Sequence, residues 1–126
     1  MPRLLLATTA VALCLPLVPA HADGYHVKPK CSFKEVGPVD HDRMLYVVTG
    51  TATATSEFAA VALSTTITCR FFSPGWGETL WTGTQTLPGA ASAVAGYAIA
   101  YPDVDVCAQG AAAFSDGVSV ETPACV

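Results

Sequence analysis

The sequence predicts an all-β domain, an antiparallel β-sandwich of immunoglobulin-like architecture that is stapled by two disulfides. Three observations indicate this fold: short segments of strand-like composition, turns containing Gly or Pro between them, and an even number of cysteines after an N-terminal export signal. No segment has the length and the 3.6-residue periodicity of an amphipathic helix.

The N-terminus has the organisation of a secretory signal peptide. Arg3 supplies a positive charge, residues 4–18 form an almost unbroken apolar run, and Ala20-His21-Ala22 is a small-x-small cleavage site. We expect cleavage after Ala22 and a secreted product, either free in the medium or associated with the cell wall. No later segment is apolar over the ~20 residues that a membrane helix needs, so we predict no membrane span.

Removal of the signal peptide, residues 1–22, leaves about 104 residues, which is the size of one sandwich domain. Residues 23–42 are irregular and polar, and we interpret them as an N-terminal arm with a short strand near Cys31. Residues 43–126 are predicted to form the β-sandwich domain.

The first two strands of the domain are long. The segment MLYVVTGTATAT, residues 44–55, is rich in the Val, Tyr and Thr that suit a pleated surface. The segment FAAVALSTTITCRFF, residues 58–72, alternates with period two, and the break at Ser56-Glu57 suggests a hairpin between the two segments. The alternation places one set of residues on a common face, which we predict to be the core face: Val61, Leu63, Thr65, Ile67, Cys69 and Phe71.

Turn residues bound the later strands. The segments SPGWG (73–77) and Pro88-Gly89 enclose the shorter strand ETLWTGTQT, residues 78–86. The alanines of residues 90–100 favour a helix, whereas the alternation of Tyr97, Ile99 and Tyr101 favours a strand. We predict a strand.

The C-terminal segment predicts its own hairpin register. If residues 115–117, Ser-Asp-Gly, are a three-residue loop with Gly117 in the left-handed conformation, Phe114 lies opposite Val118. Counting outwards then places Cys107 directly opposite Cys125. At a non-hydrogen-bonded pair the Cα atoms are roughly 4.5 Å apart, which a disulfide can span.

We therefore favour the pairs Cys107–Cys125 and Cys31–Cys69. The alternative joins Cys69 to Cys107 between the two sheets and leaves Cys31 with Cys125. The remaining pairing of the four cysteines stays open.

Charge and metal chemistry exclude several functions. The formal charge is −4 and becomes −5 when Arg3 is removed. The basic residues are scattered along the sequence and form no stripe, so we predict no binding to nucleic acid: Lys28, Lys30, Lys34, Arg43 and Arg70. No CxxC pair exists, and His26 and His41 are not at ligand spacing, so we predict neither a metal nor another cofactor.

Catalytic side chains are sparse in the mature sequence. The cluster Asp40-His41-Asp42 sets acids beside a histidine, but neighbouring residues of an extended chain point in different directions. Asp103 and Asp105 would share one strand face at the spacing of alternate residues, without an evident cleft around them. We predict that the protein is not an enzyme.

The segment RFFSPGWGETLW, residues 70–81, concentrates large rings in a chain that is otherwise rich in Ala and Thr. Exposed aromatic rings on a rigid β scaffold bind sugar faces and protein surfaces. We therefore select Trp76, Phe72 and Trp81 as candidate binding residues. The alternative interpretation is that Trp81 and Phe71 fill the core while Trp76 covers one end of the sandwich.

These features predict a non-enzymatic binding module for a protein or a glycan. The alternative is an inhibitor of a secreted hydrolase, which would insert a disulfide-braced loop into its target. In its abundance of Ala, Thr, Val and Gly, its lack of Asn, its signal peptide and its cysteine-bearing last hairpin, the chain resembles small exported proteins of actinobacteria. That resemblance implies neither an activity nor any catalytic residue.

Overall fold

The computed structural model describes residues 18–19, 24–75 and 78–123, and these residues contain β-strands and no helix. The strands are β1 (Val18–Pro19), β2 (Tyr25–Pro38), β3 (Met44–Ser56), β4 (Ala62–Ser73), β5 (Glu78–Pro88), β6 (Ala91–Ala100), β7 (Asp105–Phe114) and β8 (Ser119–Glu121). The described part of the chain accordingly includes no helix with the length and hydropathy that a membrane crossing requires.

The strands form two sheets that pack together as a sandwich. The larger sheet has the order β1-β8-β7-β4-β5 and the smaller sheet the order β2-β3-β6. All pairs are antiparallel except β1 with β8. The all-β, sandwich-like prediction is confirmed. Strand β1 lies within the predicted signal peptide, so cleavage after Ala22 would leave a four-stranded larger sheet.

The connection between β3 and β4 is not the hairpin that the Ser56-Glu57 break suggests. Strand β3 is the central strand of the smaller sheet, while β4 lies in the larger sheet between β5 and β7. The chain therefore crosses from one sheet to the other over residues 57–61. A crossing of this kind interrupts the strand pattern just as a hairpin does, so local sequence does not distinguish the two.

The predicted N-terminal arm is wrong as a description of residues 25–38. These residues form β2, a 14-residue edge strand that pairs with β3 along nearly its whole length. Pro29 and Pro38 concealed the strand in the sequence. An edge strand tolerates proline because the N–H group that proline lacks can face away from the neighbouring strand.

The C-terminal hairpin has the register that the sequence predicts. Ala112 pairs with Val120, and the N–H of Phe114 donates to the carbonyl of Val118 over 2.8 Å. Gly117 has a φ of 91°, a left-handed conformation that glycine adopts without steric cost. The turn chemistry is thus sufficient to predict how β7 and β8 align.

The predicted core face of β4 is correct for four residues and wrong for two. Thr65, Ile67, Cys69 and Phe71 are buried, whereas the side chains of Val61 and Leu63 are 63% and 57% exposed. The β4–β7 register shifts between Ala62 and Ser64, and this bulge reverses the direction of the preceding side chains.

The core combines a few large side chains with many small ones. Phe71 packs against Phe33 and Tyr46, with ring centroids 5.4 Å apart in both pairs. Five further buried positions are alanines of both sheets: Ala52, Ala54, Ala98, Ala100 and Ala112. Small side chains on facing strands let the two sheets approach closely.

A disulfide between Cys31 and Cys69 joins the two sheets, with a Cα–Cα distance of 5.9 Å. It is one of the two pairs that the sequence favours, and it excludes Cys69–Cys107. The bond passes over Gly50 of β3, where a Cβ atom would collide with Sγ of Cys69 and lie 3.0 Å from Sγ of Cys31. The covalent bond between the sheets therefore joins Cys31 of the edge strand β2 to Cys69 of β4.

The predicted pair Cys107–Cys125 includes Cys125, which lies outside the described residues. The hairpin register continues as far as the hydrogen bond from the Thr122 N–H to the Gly110 carbonyl, over 2.9 Å.

Candidate functional site

The aromatic segment 70–81 does not form a single surface. Trp76 lies outside the described residues. Phe72 is on the outer face of the larger sheet, where the guanidinium carbon of Arg70 stands 4.9 Å from its ring centroid. Trp81 pairs with Phe71 of the buried face, so its side chain projects to the opposite side of the sheet from Phe72. The structure thus separates Phe72 from Trp81.

Trp81 lies at the seam where the edge strands β5 and β6 of the two sheets meet. A Cβ atom built on Gly96 would lie 2.5 Å from Cε2 and 2.7 Å from Nε1 of its indole. A Cβ atom at Gly83 would also collide with the ring, 2.5 Å from Cζ2. The half-buried indole therefore rests directly on two glycine backbones and seals the gap between the sheets.

A cleft of about 410 Å³ opens at one end of the sandwich. The segment before β3, the end of β4, the start of β5 and the end of β6 meet there. The cleft is lined by Arg43, Ser73, Glu78, Leu80, Ile99, Ala100 and Tyr101. In the sequence, Ser73 and Glu78 flank the segment that contains Trp76.

Arg43 is held at the cleft by a carboxylate. Its Nε and Nη2 atoms donate to Oδ2 of Asp40 over 2.9 and 2.7 Å. The other oxygen of Asp40, Oδ1, accepts the backbone N–H groups of Asp42 and Arg43. The Asp40-His41-Asp42 cluster is therefore a tight turn, and the His41 side chain is 89% exposed beside Asp42.

The hydrogen bonds from the Arg43 guanidinium, followed by that from the backbone of Asp42, hold the pKa of Asp40 below its ordinary value. We expect the Arg43→Gln substitution to raise this pKa toward the ordinary value for aspartate. Asp40 contributes stability above the pKa of the unfolded chain, and the contribution is lost as pH falls through the lower folded-state pKa. The measurement is an NMR titration of the Asp40 carboxyl, with Asp42→Asn as the control.

Acid unfolding provides a second test of the same pair. The free energy of unfolding should fall more steeply toward low pH in the wild type than in Asp40→Asn. An equal pKa of Asp40 in the wild type and in Arg43→Gln would contradict the assignment.

Asp103 is connected to the cleft through Ser73. Oγ of Ser73 donates to Oδ1 of Asp103 over 3.4 Å, and a Cβ atom at Gly75 would lie 2.8 Å from Oδ2. Asp105 instead accepts the N–H of Val106 at the start of β7. The two carboxylates are thus engaged in different local contacts, and Asp103 precedes the strand on which the sequence placed it.

The lining can bind a ligand of mixed character. Arg43 and Glu78 supply opposite charges, Ser73 and Tyr101 supply hydroxyl groups, and the aliphatic side chains form the apolar part of the wall. No group of three or more His, Cys, Asp or Glu residues suited to a metal ion occurs among residues 24–75 and 78–123. Apolar walls with a few placed polar groups are typical of binding clefts.

No protein-family model matches this chain, and no curated protein matches it. The crystal structure of a Bordetella pertussis protein described provisionally as ApaA is similar in fold. The TM-score is 0.52 at 15% sequence identity, over 87% of this chain and 93% of that one. An X-ray structure of a further structural-genomics target has a TM-score of 0.47 at 17% identity, over 82% and 83% of the two chains. The first likeness concerns the fold alone.

Nothing in the local sequence marks Arg43, Glu78 or Tyr101 as binding residues. They belong to three separate segments, and no local pattern relates them to one another. The predicted feature nearest to them is the aromatic segment 70–81, which contains Ser73, Glu78 and Leu80 of the lining. Topology brings the other residues to the same end of the sandwich.

Proposed function

We propose that the protein is a secreted, non-enzymatic binding module that holds a protein or glycan ligand in the cleft at the end of the sandwich. The cleft itself is the observation that carries the proposal, because it combines a guanidinium, a carboxylate, a phenol and apolar side chains. Two residues of its lining, Ser73 and Glu78, flank the segment with Trp76 in the sequence. We also propose that the sandwich is immunoglobulin-like in architecture and that it contains a second disulfide.

Protein side chains and sugars both suit such a lining. A sugar ring offers hydroxyl groups to Arg43 and Glu78 and an apolar face to Tyr101, while a peptide offers an apolar side chain between polar backbone groups. The alternative function, inhibition of a secreted hydrolase, gains no support from Cys31–Cys69. That bond lies between the sheets, with Cys69 fully buried, and braces no protruding loop.

The test is an NMR screen of the oxidised protein against small saccharides and short peptides. We expect binders to shift the amide signals of residues 43, 73, 78 and 99–101. For the best binder, Tyr101→Ala should weaken affinity by about tenfold, as expected for a central aromatic contact. Trp76→Ala should weaken it as well.

The matched control is Leu87→Ala, which also shortens a partly exposed apolar side chain and lies outside the cleft lining. It should leave the affinity unchanged within about twofold, a difference of about 0.4 kcal/mol. Ligand shifts that map to the opposite end of the sandwich, around residues 57 and 115–117, would refute the proposal.

A further inference from the structure

The outer face of the smaller sheet carries a row of lysines. Along β2 the odd-numbered residues from Val27 to Cys31 point toward the larger sheet, so Lys28, Lys30 and Lys34 share the outer face and are exposed. Alternate residues of a strand are spaced by about 6.8 Å. Three of the basic residues that are scattered along the sequence therefore form a stripe on the folded protein. The prediction of no binding to nucleic acid assumed that no such stripe exists, and that assumption is wrong.

Hydroxyl groups continue this stripe across the sheet. On β3, Thr53 and Thr51 lie opposite Lys28 and Lys30, and Thr49 lies opposite Ser32. The hydroxyl oxygens of Ser32 and Thr49 are 3.2 Å apart. The three threonines are exposed. They add hydrogen-bonding groups beside the ammonium groups.

The third strand keeps the face open and ends it with an aromatic ring. The residues of β6 opposite the three threonines are all alanines: Ala91, Ala93 and Ala95. The next outward residue is Tyr97, which is 66% exposed and lies in one row with Val47 and Lys34. A long ligand can therefore lie along the strands without meeting a bulky obstacle until it reaches Tyr97. We call Lys28, Lys30, Lys34, Thr49, Thr51, Thr53 and Tyr97 the lysine face.

The charge of this face is opposite to that of the rest of the molecule. Asp and Glu occupy none of the outward positions paired across the described strands β2, β3 and β6 from Lys28 to Lys34. The other two basic residues of the mature chain are engaged elsewhere, Arg43 with Asp40 and Arg70 over Phe72. Positive potential is thus concentrated on one side of a chain with a net negative charge.

We propose that the lysine face binds a linear anionic polysaccharide. The ammonium groups of the three lysines contact its carboxylates, the threonine hydroxyls bond to its sugar hydroxyls, and Tyr97 supports one sugar ring. The cleft at the end of the sandwich shares none of these residues, so this binding is independent of the proposed ligand of the cleft. Lysines on an edge strand also oppose strand pairing between molecules. Protecting the edge strand β2 from such pairing requires neither the exposed threonines of β3 nor the exposed ring of Tyr97.

The test uses fluorescently labelled polygalacturonate oligosaccharides of ten to twelve residues as the probe. We expect anisotropy to show binding to the wild type in about 20 mM salt and a clear loss at about 200 mM, since screening weakens exposed charge contacts. Replacing Lys28, Lys30 and Lys34 together by Gln should raise the Kd about tenfold, because each exposed charge contact contributes a factor of roughly two to three. The corresponding triple Lys→Arg variant should retain binding, and Tyr97→Ala should weaken it.

Single substitutions supply a matched control. Lys30→Gln and Arg70→Gln remove the same charge, and only Lys30→Gln should raise the Kd. Neutral dextran of the same length should not bind. Failure of the wild type to bind polygalacturonate, or equal binding by the triple Lys→Gln variant, would overturn the proposal.

A single-stranded oligonucleotide of equal charge is the decisive competitor. Tighter binding of oligo(dT) than of polygalacturonate would assign the lysine face to nucleic acid and overturn the polysaccharide assignment. A further outcome is that the triple Lys→Gln variant self-associates and the wild type does not bind polygalacturonate. The lysines would then serve only to protect the edge strand, and the polysaccharide assignment would also be overturned.

Discussion

Replacing Cys31 and Cys69 together by alanine is expected to lower the free energy of unfolding by about 4 kcal/mol. The two residues are separated by 38 positions in the sequence, and the bond joins β2 of the smaller sheet to β4 of the larger sheet. In the unfolded chain the bond restricts a long loop, and in the folded protein it ties the sheets together across the core. Urea denaturation of the oxidised proteins measures the difference, and a loss below about 1 kcal/mol would contradict the loop-closure account.

Gly50 supplies an independent check on the position of this bond. A Cβ atom there would collide with Sγ of Cys69, so Gly50→Ala must displace either β3 or the disulfide. We expect the substitution to cost about 2 to 4 kcal/mol when the bond is present, as for an overpacked core that also strains its disulfide.

The control is Gly50→Ala in the protein without Cys31 and Cys69. The sulfur atoms are then absent, and the nearest remaining neighbour is Cγ1 of Ile67, 3.3 Å from the Cβ position. The cost should fall below about 1 kcal/mol, and the difference between the two backgrounds measures the coupling of Gly50 to the disulfide. Equal costs in both backgrounds would show that the bond does not require glycine at this position.

Gly96→Ala is expected to lower the free energy of unfolding by about 3 kcal/mol, because the new methyl group occupies the space of the Trp81 indole. The ring has to leave the seam between β5 and β6, and its burial is lost. In a Trp76→Phe background the fluorescence of Trp81 should shift to longer wavelength as the ring becomes exposed. Urea denaturation gives the accompanying loss of stability.

A double-mutant cycle isolates the contact between Gly96 and Trp81. Trp81→Ala alone should lower the free energy of unfolding by about 2 to 4 kcal/mol. This loss is small for a large aromatic residue because the side chain is only half-buried. In that variant Gly96→Ala should be nearly neutral, since no indole remains to be displaced. If Gly96→Ala lowers the free energy of unfolding equally with and without the indole, its effect arises from the β6 backbone instead.

Several predictions from the sequence succeed because they depend on short-range chemistry. The all-β class follows from the strand-like composition of β3 and the period-two pattern of β4. The register of β7 with β8 follows from the loop at Ser115 and the left-handed Gly117. In the segment 90–100 the alternation ending in Tyr97 and Ile99 correctly outweighs the helical preference of the alanines. There the two sheets need small side chains, Ala98 and Ala100, on the inner face.

The failures concern positions where distant segments decide the outcome. The outward direction of Val61 and Leu63 depends on the bulge in the pairing of β4 with β7. The strand β2 needs the whole length of β3 as a partner, and its prolines are acceptable only because it lies at an edge. The lysine stripe, too, exists only once β2 is extended and its alternate residues share a face.

For this chain, local residue chemistry was sufficient to predict the strands from β3 to β8 and the last hairpin, because backbone preferences and side-chain alternation act over a few positions. The cleft and the crossing of the Cys31–Cys69 bond over Gly50 depended on the arrangement of both sheets. Arg43, Glu78 and Tyr101 become neighbours only after three strand ends have met. Packing of the two sheets selects that arrangement, and the contacts responsible join residues that no short stretch of the sequence contains together.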